Sequence, residues 1–260
     1  MLRPRIIPCL LVHNDGLVKS RRFGDHKYVG DPINAVRIFN EKEVDELFVA
    51  DIDATVHGRE PDYGLIRNLA AECRMPLCYA GGVTSAEQFE RIISLGVEKV
   101  AIGASAVNGE ALIAEAVRRV GSQSIVAVMD VKKAGLLRRN EVFTHNGTRK
   151  TGLEPATFAR QLEEQGVGEI VINSIDRDGE MQGYDLDLVE QVRKATSVPL
   201  TVLGGAGDLA HLEALIERFP IIGAAAGSLF VYKGKYRAVL INYPTGEQKT
   251  RLAARSGDAG

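Results

Sequence analysis

The sequence repeats itself at a spacing of 123 residues, and this repeat limits the folds open to the chain. The segment 46–53, Glu-Leu-Phe-Val-Ala-Asp-Ile-Asp, aligns with the segment 169–176, Glu-Ile-Val-Ile-Asn-Ser-Ile-Asp. A period of slightly less than half the chain indicates two related halves. Glycine pairs and serines recur at the same spacing: Gly81-Gly82 with Gly204-Gly205, and Ser105 with Ser228.

Short apolar runs alternate with helix-patterned segments along most of the chain. The first run follows Arg5 and ends before the polar turn Asn14-Asp15-Gly16. An apolar run that short, bounded by turn residues, predicts a strand buried on both faces. Such runs recur at 6–12, 47–52, 76–80, 99–103, 125–130, 169–174, 198–203 and 221–226. Helical patterns recur at 32–40, 62–72, 85–95, 110–120, 155–165, 186–196 and 208–218.

This alternation predicts an α/β fold with a parallel sheet and helical crossovers. Eight strands in one uninterrupted series favour a closed (β/α)8 TIM barrel over an open doubly wound sheet. We therefore expect one domain over 1–260, built from two four-strand half-barrels of about 1–122 and 123–244. We expect the polar C-terminal tail 245–260 to be frayed.

The overall composition excludes several classes of protein. The chain has 260 residues, 45% of them apolar and 25% charged, as in ordinary globular proteins. A formal net charge of −2 and the absence of a Lys/Arg run offer no footprint for nucleic acid or a membrane surface. Cys9, Cys73 and Cys78 form neither a disulfide framework nor a metal-ligand spacing. The sequence shows no signal peptide and no membrane-spanning run, so we expect a cytoplasmic protein. We also expect it to need no metal and no cofactor.

Glycine-rich strand ends predict phosphate sites at the C-terminal face, where barrel enzymes keep their chemistry. Glycine lets a phosphate approach backbone amides, and a following helix N-terminus adds its positive end. Tight turns alone could also require these glycines, but their pairing in both halves favours phosphate binding. Two such sites at one mouth would suit a substrate with a phosphate at each end. The residues are Gly82 and Ser105 in the first half, and Asp178, Gly179, Gly205 and Ser228 in the second.

Carboxylates that end strands are the candidates for acid–base chemistry. Asp130 closes the fifth predicted strand, and a charge there is costly unless it faces the open mouth. We interpret Asp130 as a general acid or base, with a loop-capping carboxylate as the alternative. His145 is interpreted as structural, and the sequence shows no Ser/His/Asp set. Four more carboxylates end the second and sixth strands: Asp51, Asp53, Asp176 and Asp178.

Four charged residues stand at the opposite ends of the strands and could form a ring that closes the bottom of the barrel. Charges at this face of a barrel usually serve stability, which is the stronger interpretation on spacing alone. The four are Arg5, Glu46, Lys99 and Glu169.

Together these residues resemble the cyclase subunit of imidazole glycerol phosphate synthase, the histidine-pathway barrel called HisF. The resemblance covers nearly the whole chain. Its motifs are Arg5-Ile-Ile-Pro-Cys9, Gly30-Asp-Pro32, Asp45-Glu-Leu47, Gly152-Leu153, Asp176-Arg-Asp-Gly179, Gly183-Tyr-Asp185 and Gly204-Gly-Ala-Gly207.

The resemblance implies a glutaminase partner, similar to HisH, at the bottom of the barrel. Ammonia released there passes a charged gate, runs through the barrel and reacts with a bis-phosphorylated substrate at the top. Lys19 matches a loop lysine of the family, and Asp130 matches one of its two catalytic aspartates. The residues that match the gate are Arg5, Glu46, Lys99 and Glu169.

The chain departs from the family at the top of the barrel. Leu11 occupies the position of the second catalytic aspartate, at the tip of the first strand, and leucine cannot transfer a proton. Gly103-Ala104 stand where the family commonly has Asn-Thr, and Leu203 replaces a small polar residue. The nearby residues that could substitute for the aspartate lie beyond the strand tip and would need a shifted loop: His13, Asn14 and Asp15.

The chain matches the family at the N-terminal face of the barrel and departs from it at the C-terminal face. This combination resembles a branch of the family encoded with genes for surface polysaccharides such as lipopolysaccharide O-antigen. The segment 27–47 resembles this branch in particular. The resemblance implies ammonia supply to a separate sugar amidotransferase, which converts an N-acetyl substituent into an acetamidino group. We therefore predict an ammonia-conducting synthase subunit. The alternative is an active cyclase, a lyase of histidine biosynthesis. A phosphosugar isomerase is less favoured, because it also needs strand-end aspartates in both halves.

Overall fold

Eight parallel strands close into a barrel in the computed structural model, which describes residues 3–255. Six further strands in this range lie outside the barrel. In chain order, all the strands of the described residues are β1 Arg5–His13, β2 Gly16–Arg21, β3 Gly24–Gly30, β4 Leu47–Asp51, β5 Leu77–Ala80, β6 Lys99–Ile102, β7 Ile125–Ala134, β8 Arg139–Thr144, β9 Arg149–Lys150, β10 Glu169–Ser174, β11 Leu200–Leu203, β12 Gly223–Ala226, β13 Tyr232–Lys233 and β14 Ala238–Val239. The helices are α1 Pro32–Glu41, α2 Tyr63–Glu72, α3 Ala86–Ser94, α4 Glu110–Val120, α5 Pro155–Glu164, α6 Leu186–Arg193, α7 Leu209–Arg218, α8 Ser228–Val231 and α9 Gly246–Arg255.

The barrel order is β1-β4-β5-β6-β7-β10-β11-β12, and the barrel closes where β12 pairs with β1. Every pairing between barrel neighbours is parallel, including that of β7 with β10. The predicted (β/α)8 TIM barrel is therefore confirmed. The predicted boundary near residue 122 falls between α4 and β7. The origin of the barrel from two equivalent halves stays a prediction.

The outer helices form where the sequence places caps and apolar stripes. Asp31 caps α1 by accepting a hydrogen bond from the Asn34 amide at 2.8 Å, and Ser85 and Gln88 form a capping box at α3. The inward stripes include Phe39 on α1 and Phe89 on α3, both fully buried. Burying such a side chain stabilises the fold by about 1.5–3 kcal/mol. The predicted helices are confirmed to within a few residues at their ends.

A second, smaller core fills the inside of the barrel. The side chains that point inward there are apolar or cysteine, and they form a cluster separate from the core between the barrel and the helices. Its buried members are Ile7, Cys9, Phe48, Cys78, Ala101, Val126, Val171 and Ala225. We call the inside of the barrel, which these side chains line, the lumen.

Two barrel strands continue beyond the barrel as antiparallel hairpins on the C-terminal face. β1 runs on to His13 and pairs with β2, which pairs with β3. β7 runs on to Ala134 and pairs with β8. Leu11 pairs with Val18 and lies inside β1, so the prediction that it stands at the strand tip was wrong. Pairing with β2 continues for two residues beyond Leu11, so that β1 ends at His13.

The predicted fraying of the C-terminal tail is wrong as far as residue 255, because α9 forms there. Leu252 of α9 is buried, and Arg251 pairs with Glu213 of α7 at 2.9 Å. Lys249 pairs with Asp45 at 3.1 Å. Residues 256–260 of the predicted tail lie outside the described residues. No helix between residues 3 and 255 is long and apolar enough to cross a membrane.

Candidate functional site

The four charges at the strand starts form a closed ring at the N-terminal end of the lumen. Arg5 donates to Glu46 and, at 2.7 Å, to Glu169. Lys99 donates to the same two carboxylates, at 2.9 Å to Glu46 and 2.8 Å to Glu169. Thr201 adds a hydrogen bond to Glu169 at 2.6 Å. Cations and anions therefore alternate around the ring. We call Arg5, Glu46, Lys99 and Glu169 the charged ring.

Mutual pairing keeps these charges ionised despite their burial. Burial opposes ionisation of Glu169, but Arg5 and Lys99 outweigh it and hold the pKa of this carboxyl below its usual value. Burial likewise opposes the positive charge of Lys99, yet the two carboxylates raise its pKa. The side chains of Glu46 and Glu169 are only 5% and 8% exposed. Removing one member would leave its partners buried and uncompensated.

The lumen opens at its other end into a cleft on the C-terminal face. The cleft encloses a cavity of about 140 Å³, and its lining includes the lumen residues Cys9, Phe48 and Ala101. Leu11 and Asp130 both line it. A continuous run of inward-facing side chains therefore leads from the charged ring to the cleft.

Asp130 and Asn173 form the polar part of the cleft floor. The Asn173 amide donates from Nδ2 to Asp130 Oδ1 at 2.9 Å. Burial raises the pKa of Asp130 to about 7, with a smaller upward contribution from the Asp178 charge. At neutral pH this carboxyl can therefore both donate and accept a proton. Asn173 Oδ1 is buried and has no hydrogen-bond partner within residues 3–255.

The predicted phosphate residues of the second half lie around one cavity beside the cleft. The Lys19 ammonium in this cavity donates to the Cys9 carbonyl at 2.6 Å, and burial lowers its pKa. Asp178 accepts a hydrogen bond from the Ser20 hydroxyl at 2.7 Å, and burial raises the pKa of this carboxyl. The structure thus brings together Lys19, Asp178, Gly179, Gly205 and Ser228.

The two predicted phosphate residues of the first half line a different cavity at the other side of the cleft. Gly82 and Ser105 both face it, together with Arg59. The Ser105 hydroxyl donates to the Val83 carbonyl at 2.5 Å. The neighbouring Gly103 and Ala104 bring no side-chain donor. Thr55, Arg59 and Thr84 also line this cavity, so its side-chain donors come from these residues and not from positions 103 and 104.

Three of the other strand-end carboxylates hold loops together. Asp51 accepts hydrogen bonds from the amides of Asp53 and Ala54 at 2.9 and 3.0 Å. Asp176 accepts from the Lys133 amide at 2.9 Å. Asp53 accepts from the Asn14 amide at 2.8 Å, and this bond helps to hold its pKa low against the opposing effect of burial.

The residues considered as substitutes for the missing aspartate do not line the cleft. His13 Nδ1 lies 2.7 Å from Asp53 Oδ1, and the Asn14 side chain contacts the His13 ring. Asp15 lines a separate cavity. The shifted loop that these residues would need is absent from this structure.

Two histidines that the sequence interpretation did not place in the site do line the cleft. His26 lies on β3, with its ring 4.6 Å from that of His13, and His145 lies at the end of the β7–β8 hairpin. Burial lowers the pKa of His145. His26 lies on a hairpin strand outside the barrel and His145 lies in the turn after β8, so no pattern at the ends of the barrel strands pointed to them. Only the hairpin geometry reveals their position.

Comparison with known proteins agrees with this architecture. The family described as "Histidine biosynthesis protein" matches residues 5–237. The chain belongs to this family. Similar proteins include one from Leptospira borgpetersenii, provisionally named imidazole glycerol phosphate synthase subunit HisF, with 54% identity over 97% of this chain and 99% of that protein.

Two further HisF relatives carry numbered names. One is subunit hisF3 from Vibrio vulnificus, with 52% identity over 96% of each chain, and the other is subunit hisF2 from Pseudomonas aeruginosa, with 52% identity over 94% of this chain and 97% of the other. Both names are provisional as well. Identity at this level over nearly full length shows that the chain is a HisF-like barrel.

Proposed function

We propose that this chain conducts ammonia through its barrel to an acceptor outside it, and does not close an imidazole ring itself. Ammonia would come from a glutaminase subunit docked at the N-terminal face, as the family resemblance implies. The observation that carries the proposal is Leu11, which lines the cleft of a barrel whose charged ring and apolar lumen are complete.

The lumen favours neutral ammonia over ammonium. Its lining offers apolar surface along Ile7, Val126 and Val171. An ammonium ion would lose its hydration there without a compensating charge, at a cost of several kcal/mol. Neutral ammonia loses much less. At the entrance the four members of the charged ring pair with one another, and Thr201 donates to Glu169.

The exit of the lumen offers ammonia a hydrogen-bond acceptor. Asn173 lines both the cleft and the second phosphate cavity, and its buried Oδ1 lacks a partner among residues 3–255. An unpaired buried acceptor costs about 1–3 kcal/mol, which an N–H donor would recover. Asp130 lies beside it at 2.9 Å from Asn173 Nδ2. Ammonia leaving the lumen therefore finds an acceptor before it reaches water.

We infer that the acceptor is an N-acetyl sugar substituent on a separate amidotransferase, which becomes an acetamidino group. Two observations support this assignment. The segment 27–47 resembles the polysaccharide-linked branch, and two relatives carry the numbered names hisF2 and hisF3. Numbered names are expected where an organism has more than one such subunit, and we infer that one of them then serves another pathway.

A turnover assay tests the proposal. The purified barrel is given the histidine-pathway substrate and ammonium salt, and formation of the imidazole product is followed. We expect turnover at least about a thousandfold below 1 per second, which is the lower end of ordinary enzyme rates. A rate on the order of 1 per second would overturn the proposal.

An active cyclase is the second candidate, and one observation favours it. Asp130 has a pKa near 7, and the imidazoles of His26 and His145 line the same cleft. A histidine could then supply the second proton transfer. In that case His26→Ala would abolish imidazole formation in the assay above, whereas the conduit proposal expects no such activity to lose.

A further inference from the structure

Two hairpins on the C-terminal face end in turns of the same unusual kind. The first turn is Gly135-Leu136-Leu137-Arg138, closed by a hydrogen bond from the Arg138 amide to the Gly135 carbonyl at 3.2 Å. The second is Gly234-Lys235-Tyr236-Arg237, closed in the same way at 3.0 Å. In both turns the glycine and the arginine have positive φ: 71° and 48° in the first, 73° and 49° in the second. We call these the tip turns.

The tip turns expose large apolar side chains that nothing in the described chain covers. Leu136 is 100% exposed, Leu137 73% and Tyr236 91%. Turn corners normally carry Gly, Asn, Asp or Ser, which keep the backbone solvated. Bulky apolar residues grouped at projecting positions are typical of surfaces that bind another molecule. Stability of the barrel does not explain them.

Cations surround the tip turns, and none of them forms an ion pair within residues 3–255. Between residues 131 and 150 the first hairpin has one carboxylate, Glu141, and the segment 232–239 of the second hairpin has none. By contrast, Arg21 and Arg22 on the β2–β3 hairpin both pair with Glu180. The unpaired cations are Lys133, Arg138 and Arg139 at the first turn, Lys132, Arg149 and Lys150 farther along the same hairpin, and Lys233, Lys235 and Arg237 around the second turn.

Both hairpins border the mouth of the cleft. The first ends in Thr144 and His145, which line the cleft. The second lies beside the β2–β3 hairpin, where the Lys27 ammonium sits 5.4 Å from the centre of the Tyr232 ring. β7 and β12, which precede the two hairpins, are three strands apart in the barrel. A molecule seated on both tip turns would therefore cover the cleft.

We propose that the two tip turns are docking points for the enzyme that receives ammonia, through a carboxylate-rich surface with apolar pockets. This inference rests on the proposed function. Ammonia that leaves the cleft into water becomes ammonium and is lost, so the acceptor has to close over the mouth. Leu136, Leu137 and Tyr236 are the anchors, because exposed aromatic and apolar side chains that enter pockets dominate binding energy. The unpaired cations orient the approach.

The test measures binding of the complex of this barrel with its glutaminase to a purified sugar amidotransferase from the same organism. An anchor variant combines Leu136→Ser, Leu137→Ser and Tyr236→Ser. A charge variant combines Lys133→Glu with Arg139→Glu. Arg67→Glu, an exposed cation on the outer helix α2, is the control. The altered side chains lie on the surface, so thermal melting should stay unchanged.

We expect the anchor variant to bind about a hundredfold more weakly than the wild type. The charge variant should associate roughly tenfold more slowly at low salt and close to normally at high salt. Arg67→Glu should bind within about twofold of the wild type. Product formed from glutamine should fall in step with binding, while glutamine hydrolysis continues.

Wild-type affinity in both variants would overturn the docking proposal. A second contrary result would come from vesicles of one part anionic to three parts neutral phospholipid. If the anchor variant loses binding to these vesicles but keeps binding to the enzyme, the tip turns bind a membrane and the docking proposal is wrong. If the wild type makes no product from glutamine with this enzyme, the proposed function fails and the docking proposal with it. If the wild type and the anchor variant make equal product, only the docking proposal fails.

Discussion

Leu11 and Asp130 face the same cleft, but only Asp130 can move a proton. Ring closure with bond cleavage calls for one group that donates and one that accepts. A leucine in place of one of them removes a contribution that is typically 10²- to 10⁴-fold in rate. The surroundings of Asp130 remain suited to acid–base work, since its pKa is near 7. Under the proposed function, Asp130 can still transfer a proton and Leu11 cannot.

Leu11→Asp should return part of the lost chemistry. A carboxylate at this position would line the cleft with Asp130, so that one group could accept a proton while the other donates. We expect imidazole formation from the histidine-pathway substrate and ammonium to rise at least roughly tenfold over the wild type. Leu11→Asn, of similar size but unable to ionise, is the matched control. Equal rates in the two variants would show that the missing carboxylate is not the limiting defect.

Asp130 makes the stability of the fold depend on pH. Its pKa is about 7 in the folded chain because it is buried, and about 3.8 in the unfolded chain. The folded state therefore binds the proton more tightly, and this favourable contribution, complete below pH 4, is lost as the pH rises to 7. Asp130→Asn should remove the dependence. We expect the variant to match the wild type near pH 4 and to be more stable by a few kcal/mol above pH 7.

Denaturant unfolding at pH 4.5, 6 and 8 checks this prediction. The gain should grow between the first two values and level off above pH 7. Asp176→Asn is the control, because Asp176 accepts a backbone hydrogen bond at the C-terminal face without lining the cleft. A gain for Asp130→Asn that is equal at all three pH values would show that the carboxyl is not held protonated by burial.

At the scale of elements, the sequence predicted what local patterns encode and missed what pairing across the structure creates. The eight barrel strands follow from apolar runs, and the helices from caps such as Asp31 and Ser85. The hairpins β2–β3 and β8–β9 went unpredicted, because their polar residues show no strand alternation. They form by pairing with extensions of β1 and β7. α9 was missed for a related reason, since its contacts with Glu213 and Asp45 lie far away in sequence.

The candidate site shows the same division. Asp130 and three members of the charged ring lie on barrel strands, and Glu46 immediately precedes β4, so their places follow from strand order alone. Asp51, Asp53 and Asp176 stand at equally suggestive positions, and only the structure shows that backbone amides occupy them. His26 was missed because the hairpin that carries it was itself unpredicted.

Gly179 fixes the β2–β3 hairpin over the second phosphate cavity. The hairpin is held to the loop after β10 by the Ser20 hydrogen bond to Asp178 and by the Arg22 amide, which donates to the Asp178 carbonyl at 3.0 Å. Gly179 has φ of 68°, and a Cβ there would overlap the Ser20 carbonyl oxygen. Only glycine therefore allows this close approach.

Gly179→Ala should weaken the attachment of the β2–β3 hairpin and lower the stability of the fold by more than the positive φ alone would. Gly152→Ala is the matched control, because Gly152 has φ of 76° and no atom near a new Cβ. We expect the control to lose about 1 kcal/mol of stability and Gly179→Ala to lose about 2–4 kcal/mol. Limited proteolysis should cut Gly179→Ala faster after Arg21 and Arg22. Equal losses of stability in the two variants would show that the contact with Ser20 does not hold the hairpin.

At the scale of the whole molecule, the two ends of the barrel differ in kind. The N-terminal end is closed by four charges that satisfy one another, and the C-terminal end opens into a cleft with unpaired polar groups and projecting hairpins. Only the apolar lumen joins them. A molecule that enters through the ring can react only after it has crossed the barrel, so entry and reaction are separated in space.

This separation predicts that damage to the charged ring uncouples the two ends. Lys99→Ala removes the cation that bridges Glu46 and Glu169, and leaves two buried carboxylates with Arg5 as their remaining partner in the ring. Breaking a buried pair in this way costs about 3–5 kcal/mol, so the entrance should rearrange and admit water. In the reconstituted system we expect product per glutamine hydrolysed to fall from about one to roughly half or less, while product from added ammonium salt stays unchanged, because added ammonia need not pass the ring to reach the acceptor. Lys249→Ala, which breaks an ion pair with Asp45 away from the lumen, is the control. If product per glutamine is as high for Lys99→Ala as for Lys249→Ala, ammonia does not pass through the ring.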